Sequence, residues 1–173
     1  MDLTLYNSFA LLYSNGSTPL EGLAAAGDLV QLILVGPNGV IDTPTLAGAP
    51  GGDDTLVFTT HVGAGLTTTN TGKLVQTGIL YGDSLIGSNV FVRFWNSNTA
   101  ANATFFGNSA ITNLPSGDAF GLADLDFVPL SGSPRTTDQP FGGGEVVPEP
   151  SQLFIFGLIL VGGWVWRKRE RLA

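Results

Sequence analysis

Cysteine is absent from this 173-residue chain, histidine occurs once, and only 12% of the residues are charged. Without cysteine there are no disulfides, no thiolate metal ligands and no thiol catalysis. The single histidine, His61, cannot build a multi-histidine metal site, and any histidine-dependent catalysis would have to run through it alone. Basic residues are also scarce, with seven Lys and Arg against 14 Asp and Glu for a formal charge of −7. That balance argues against nucleic acid as a partner, because phosphate backbones demand clustered Lys and Arg. What is present is 43% apolar residues with 24 Gly and 10 Pro. This suffices for one cored domain plus a tail without cross-links.

The charges are segregated. Arg167, Lys168, Arg169 and Arg171 lie in the last seven residues, leaving Lys73, Arg93 and Arg135 upstream. Twelve acidic residues precede Pro148, so the body carries −9 and the tail is basic. Just before the basic cluster, Leu153 to Trp166 form an uncharged apolar run that shows no polar stripe. A buried helix of a soluble core would show such a stripe, so a membrane helix over 152–166 is expected. About 14 residues span only about 21 Å of a hydrocarbon core of roughly 30 Å. Ser151 and Gln152 at one interface, Trp164 and Trp166 at the other, and snorkelling Arg and Lys side chains make up the difference.

The positive-inside rule places the basic end in the cytoplasm and the acidic body outside. Export of the body requires an N-terminal signal, and the opening Met1-Asp2-Leu3-Thr4-Leu5-Tyr6-Asn7-Ser8 does not read as one. The expectation is therefore a leader upstream of Met1. The alternative, a tail-anchored protein with a cytoplasmic body, would put the basic end outside.

Immediately before the apolar run stands Val147-Pro148-Glu149-Pro150-Ser151. Two prolines fix an extended segment with few backbone donors, accessible to a protease-like groove at the membrane face. Taken alone, the tripeptide could simply end a linker and start a helix. Followed by the short apolar helix and the Arg-rich terminus, however, it resembles the PEP-CTERM sorting signal of Gram-negative bacteria over 147–173. That resemblance implies recognition of Val147, Pro148, Glu149 and Pro150 by an exosortase, a membrane-embedded cysteine transpeptidase. It also implies an inner-membrane-anchored precursor and, after processing, a protein of the cell surface or extracellular matrix.

The chain divides into a body over 1–130, a Gly/Pro/Ser-rich linker over 131–146 and the sorting signal, with its motif at 147–151 and basic tail at 167–173. Within the body, β-type runs recur between turn signals: Leu3 to Tyr6 with continuation toward Tyr13, Leu29 to Val35, Leu56 to Val62, Lys73 to Leu80, Val90 to Trp95, Ala103 to Phe106 and Leu125 to Val128. Helical turns are expected around Pro19 to Ala26 and Tyr81 to Ile86. In Val90 to Trp95, Val90, Val92 and Phe94 share one face, and Phe91, Arg93 and Trp95 the other. The pattern predicts an all-β fold, an antiparallel β-sandwich of Ig-like or jelly-roll-like type, with a small barrel as the alternative. The stretch from Tyr81 to Phe106 resembles small β-rich domains common in exported bacterial proteins, a likeness that carries no activity with it.

Three kinds of chemistry can be tested against the body. Gly82-Asp83-Ser84-Leu85 resembles the nucleophile block of the GDSL hydrolases, but in that family the block opens an α/β fold and its histidine follows the serine. Here His61 precedes Ser84, so Ser84 and Asp83 are read as turn residues and the chain as a non-enzyme. Asp53 with Asp54, and Asp124 with Asp126, are calcium candidates that complete no known loop spacing; solvated loop charges are the plainer reading, and no cofactor is expected. The same acids make only a weak glycosidase pair. Trp95, Tyr81 and Phe105 would stack on sugar rings if exposed, which makes a carbohydrate-binding module the alternative to a structural or adhesive protein. Exopolysaccharide or other matrix components are then candidate partners. Asn15-Gly16-Ser17 and Asn102-Ala103-Thr104 match glycosylation acceptors, which a bacterial setting leaves unused.

Overall fold

The two strands richest in apolar residues, Leu29–Leu34 and Asn89–Trp95, lie side by side at the centre of a sheet in the computed structural model, with almost every residue buried. The structure describes residues 1–22, 26–67, 72–127 and 136–141. In chain order the strands are β1 (Asp2–Tyr6), β2 (Leu29–Leu34), β3 (Thr55–His61), β4 (Val75–Leu80), β5 (Asn89–Trp95), β6 (Phe105–Asn108), β7 (Thr112–Asn113), β8 (Leu122–Asp126) and β9 (Gln139–Pro140). They form two sheets: a three-stranded one ordered β4-β1-β8 and a six-stranded one ordered β3-β2-β5-β6-β9, with β7 pairing β5. The described residues are therefore all-β, as the alternation predicts. Two 3-10 turns punctuate them, Asp83–Leu85 inside the expected turn at 81–86 and Ala100–Asn102.

One core joins the sheets. Leu3 and Leu5 of β1, Ile79 of β4 and Ala123 and Leu125 of β8 pack with Val30 and Leu32 of β2 and Val90, Val92 and Phe94 of β5. The smaller sheet alternates as a one-sided sheet should, with Leu3 and Leu5 buried and Asp2, Thr4 and Tyr6 turned outward. β4 slips register against β1 between Leu3 and Leu5, and Gly78 at φ +76° absorbs the extra residue, as in a β-bulge. Thr60 at the end of β3 reaches β4, its hydroxyl donating to Gln76 Oε1 at 2.8 Å.

The larger sheet is buried on its second face as well. Leu29, Trp95, Ala100, Ala103, Phe106 and Phe141 form one cluster there, and Ile33, Val35 and Phe91 another against Ile41. The cover comes from the excursion over 36–54 and from β9. Trp95 meets Phe141 edge-on at 4.7 Å between ring centroids and Phe106 at 5.5 Å.

Three expectations need correction. The pairing is not purely antiparallel: β1 runs parallel to β8 over Asp2↔Leu122 to Tyr6↔Asp126. The first strand stops at Tyr6; beyond it Leu12 makes only isolated bridges, to Pro19 and Thr136, so Pro19 is bridged rather than helical. And the packed body does not end near Leu130. Gln139–Pro140 pairs with β6, and Phe141 is buried, because the edge of β6 and the rings of Trp95 and Phe106 would otherwise lack cover.

Residues 131–135 and 142–146 of the expected linker, the motif 147–151, the apolar run 152–166 and the basic end 167–173 lie outside the described residues. So do Val128 and residues 23–25, the middle of the turn expected between Pro19 and Ala26. Among the described residues no helix is long and apolar enough to cross a membrane.

Truncating Phe141 separates a packed strand from a linker. Phe141→Ala is expected to lower unfolding free energy by about 3 kcal/mol, the usual cost of deleting a buried phenyl ring. Chemical denaturation followed by tryptophan fluorescence measures it; an unchanged midpoint would mean that Phe141 contributes no core.

Candidate functional site

β5 places a guanidinium where its alternation demands an apolar group. Arg93 is 0% exposed. Its Nε donates to Asn108 Oδ1 at 2.8 Å on β6, and its Nη2 donates to the backbone carbonyl of Asp42 at 2.6 Å. The planar group lies over the rings of Phe91 and Phe106, 5.2 and 5.1 Å from their centroids, which favours a cation electrostatically. Nη1 has no hydrogen-bond partner. Burial lowers the Arg93 pKa to about 10, partly opposed by the negative charges of Asp54 and Asp42.

Those carboxylates belong to a cluster. Carboxylate oxygens of Asp42, Asp53 and Asp54 lie within 4.8 Å of one another, the one such acidic group among the described residues. They fold the excursion over 36–54 back on itself. Asp54 accepts from Gly36 N–H at 3.0 Å and from Asp42 N–H at 2.9 Å; Asp53 accepts from Asn38 N–H at 3.1 Å; Asp42 accepts from Asp53 N–H at 3.2 Å. Backbone amides and the Arg93 charge thus already serve these oxygens. A calcium ion takes six to eight oxygens and would compete with that guanidinium, so the cluster reads as a loop clamp.

The sequence identified Asp53 and Asp54 but missed Asp42, because nothing in its spacing announces that the loop closes. Asp124 and Asp126 share the outward face of β8, and among the described residues no third acid comes close enough to hold a metal ion with them. Asp126 is instead engaged by Ser8, whose N–H donates at 2.9 Å and whose hydroxyl also donates to it.

The aromatic candidates are not gathered on an open face. Trp95 is fully buried and its indole N–H donates to Gln31 Oε1 at 3.0 Å, so it cannot meet a sugar ring. Tyr81 is also buried, its hydroxyl donating to the Pro115 carbonyl. Phe105 is half-buried at the start of β6, pointing away from neighbouring Phe106. The exposure that sugar stacking requires is thus missing at Trp95 and Tyr81. Phe91 and Trp95 do find the cover their face needs, in the excursion over 36–54 and in Phe141.

Ser84 sits exposed in the 3-10 turn after β4, and no hydrogen bond joins it to His61 among the described residues. The turn closes through its backbone, Leu85 N–H to Gly82 O at 2.9 Å, with no side-chain cap. Asp83 and Ser84 are turn residues here.

A second buried acid escaped sequence reading. Asp28, just before β2, accepts from the Tyr13 hydroxyl at 2.8 Å and the Glu21 N–H at 2.9 Å, pinning the excursion over 8–22 to the body. Its pKa is raised above its ordinary 3.8 by burial, with the Tyr13 hydrogen bond acting the other way. Tyr13 is raised as well, by burial and by the carboxylate beside it.

No family model, no curated protein and no solved structure matches the chain.

Two outcomes follow from the buried charges. Arg93→Ala leaves the acids behind it uncompensated and is expected to cost about 3 to 5 kcal/mol in urea unfolding. Arg93→Lys, lacking the planar fork that bonds Asn108 and Asp42 together, should also be destabilised, by a smaller amount.

Asp28 binds its proton more tightly in the folded state than in the unfolded state. Between 3.8 and its raised folded value the unfolded chain therefore holds fewer protons, and stability contributed by this group falls as pH rises. Asp28→Asn removes that decline. Unfolding curves at pH 4 and pH 7 should show the variant gaining on the parent chain toward pH 7, and an equal gap at both values would refute the burial argument.

Proposed function

We propose that the chain is an exported bacterial surface or extracellular-matrix protein, sorted and processed through a PEP-CTERM signal at 147–173 and carrying a structural or adhesive β-sandwich body. The observation that carries this reading is the ordered succession of Val147-Pro148-Glu149-Pro150, the uncharged run from Leu153 to Trp166 and the stop at Arg167-Lys168-Arg169-Glu170-Arg171. The three parts serve as an extended recognition segment, a short apolar anchor, and a charge cluster that holds the end in the cytoplasm. The partners are then an exosortase and the inner membrane, with matrix components reached after release.

The body supports this assignment in two ways. It is an acidic, cysteine-free β fold with its own core, so no disulfide has to form for it to become compact. At its candidate sites, Ser84 lies in a backbone-closed turn and Asp53 and Asp54 accept from loop amides, which favours a structural role for these residues. The carbohydrate-binding alternative loses its platform with the burial of Trp95 and Tyr81. For the fold we read a β-sandwich whose parallel β1–β8 pair departs from the antiparallel pairing shared by Ig-like and jelly-roll arrangements.

The sorting test compares membrane-held and released protein in cells with and without an exosortase, using the parent chain and a variant with Pro148, Glu149 and Pro150 replaced by alanine. Release and a drop in mass are expected only for the parent chain with the enzyme present. Identical size and location in all four conditions would end the proposal.

A further inference from the structure

β8 ends the smaller sheet. Its neighbour β1 bonds to the odd-numbered positions of this stretch: Asp2 N–H donates to Gly121 O at 2.8 Å and Phe127 N–H to Tyr6 O at 3.1 Å. Successive amides along a strand point to opposite sides, so the backbone groups of Leu122, Asp124 and Asp126 face away from β1. Leu122 is closed off by the turn before it, its N–H donating to Asp118 Oδ1 at 3.0 Å and its carbonyl accepting from Asp118 N–H at 2.7 Å. Among the described residues no strand pairs with the remaining edge at Asp124 and Asp126.

The two faces beside this edge differ in chemistry. Outward, Asp124 and Asp126 stand with Asp2 of β1, and no basic residue lies on the three strands of this sheet. Inward, Ala123 and Leu125 are buried, and where β8 ends lies a cleft of about 260 Å³ lined by Ala110, Ile111, Thr112, Asp126 and Phe127. Ala110 and Ile111 come from the break between β6 and β7, so this side of the cleft is formed where the opposite sheet interrupts its own ladder.

We infer that the β8 edge and this cleft form a docking site for an extended segment of another protein that alternates basic and apolar residues. Main-chain bonds to Asp124 hold the added strand, its apolar side chains enter the cleft, and its basic side chains lie beside Asp124 and Asp126. A second copy of this chain fits poorly, because pairing β8 with itself would set carboxylates against carboxylates.

The test is fluorescence anisotropy of a labelled eight-residue peptide alternating Lys and Val, titrated with the whole chain, against a Glu/Val peptide of equal length. Saturable binding is expected for the Lys/Val peptide alone. It should weaken about tenfold, a difference of about 1.4 kcal/mol, in Asp124→Pro, which removes an outward amide while sparing the β1 ladder. Asp124→Lys inverts the charge at an intact edge, should weaken binding to a similar degree, and covers the case in which the proline variant does not fold. Asp83→Lys, in the turn after β4, should leave binding unchanged. Equal binding of both peptides, no effect of either substitution at Asp124, or an equal effect of Asp83→Lys would overturn the proposal. So would self-association of the parent chain that Asp124→Lys abolishes, which would make a second copy the occupant.

Discussion

A fully buried guanidinium is the constraint on which the rest of the body depends. Taking Arg93 out of water costs several kcal/mol, which several compensating groups together must offset. β6 supplies Asn108, the excursion over 36–54 supplies the Asp42 carbonyl together with the charges of Asp42 and Asp54, and Phe91 and Phe106 supply ring faces. Except for Phe91, these partners are distant in sequence. The arginine therefore fixes where the excursion must lie: flat on the back of β2 and β5, close enough for its carbonyls to reach the strands. Gly48 shows how close that is, since its carbonyl accepts from Gln31 Nε2 and a Cβ added there would stand 2.0 Å from the Ala100 side chain. Arg93 thereby turns a two-sheet core into one whose larger sheet is covered on both faces.

The same requirement explains what the sequence could and could not disclose. Alternation in Val90 to Trp95 was legible, and with it the all-β class, because inward and outward positions differ along one strand. The need for cover over Phe91 and Trp95 was equally legible. Its source was not: Phe141 sits in a run of Gly, Pro, Ser and Thr that has every mark of a linker, and Gln139–Pro140 is a strand only because β6 presents an open edge to it. Likewise the parallel β1–β8 pair joins segments more than a hundred residues apart, and periodicity carries no information about direction. For the site, Asp53 and Asp54 could be found as neighbours, whereas Asp42 joins them only through loop closure, and Asp28 becomes notable only once burial is known.

Burying Arg93 also takes one of the two Lys and Arg among the described residues off the surface. The described residues contain one other Lys or Arg, Lys73, while acids stand along the outer face of the smaller sheet and in the loops. Such an exterior keeps copies of the body apart through like-charge repulsion. Stability and solubility are here consequences of one placement, since the cation that organises the interior is unable to neutralise the outside.

β8 is where that exterior meets an edge that no described strand pairs. An open edge next to a cleft invites indiscriminate strand addition, and proteins commonly guard such edges with charge. Asp124 and Asp126 are suited to that role, and the turn at Asp118 shortens what remains open. A guard of one sign is nevertheless selective rather than absolute: it repels acidic strands, including those of its own copies, and leaves the edge open to a basic one. In a body with so little positive charge, the side chains that keep β8 from pairing with itself also define the chemistry of whatever it admits.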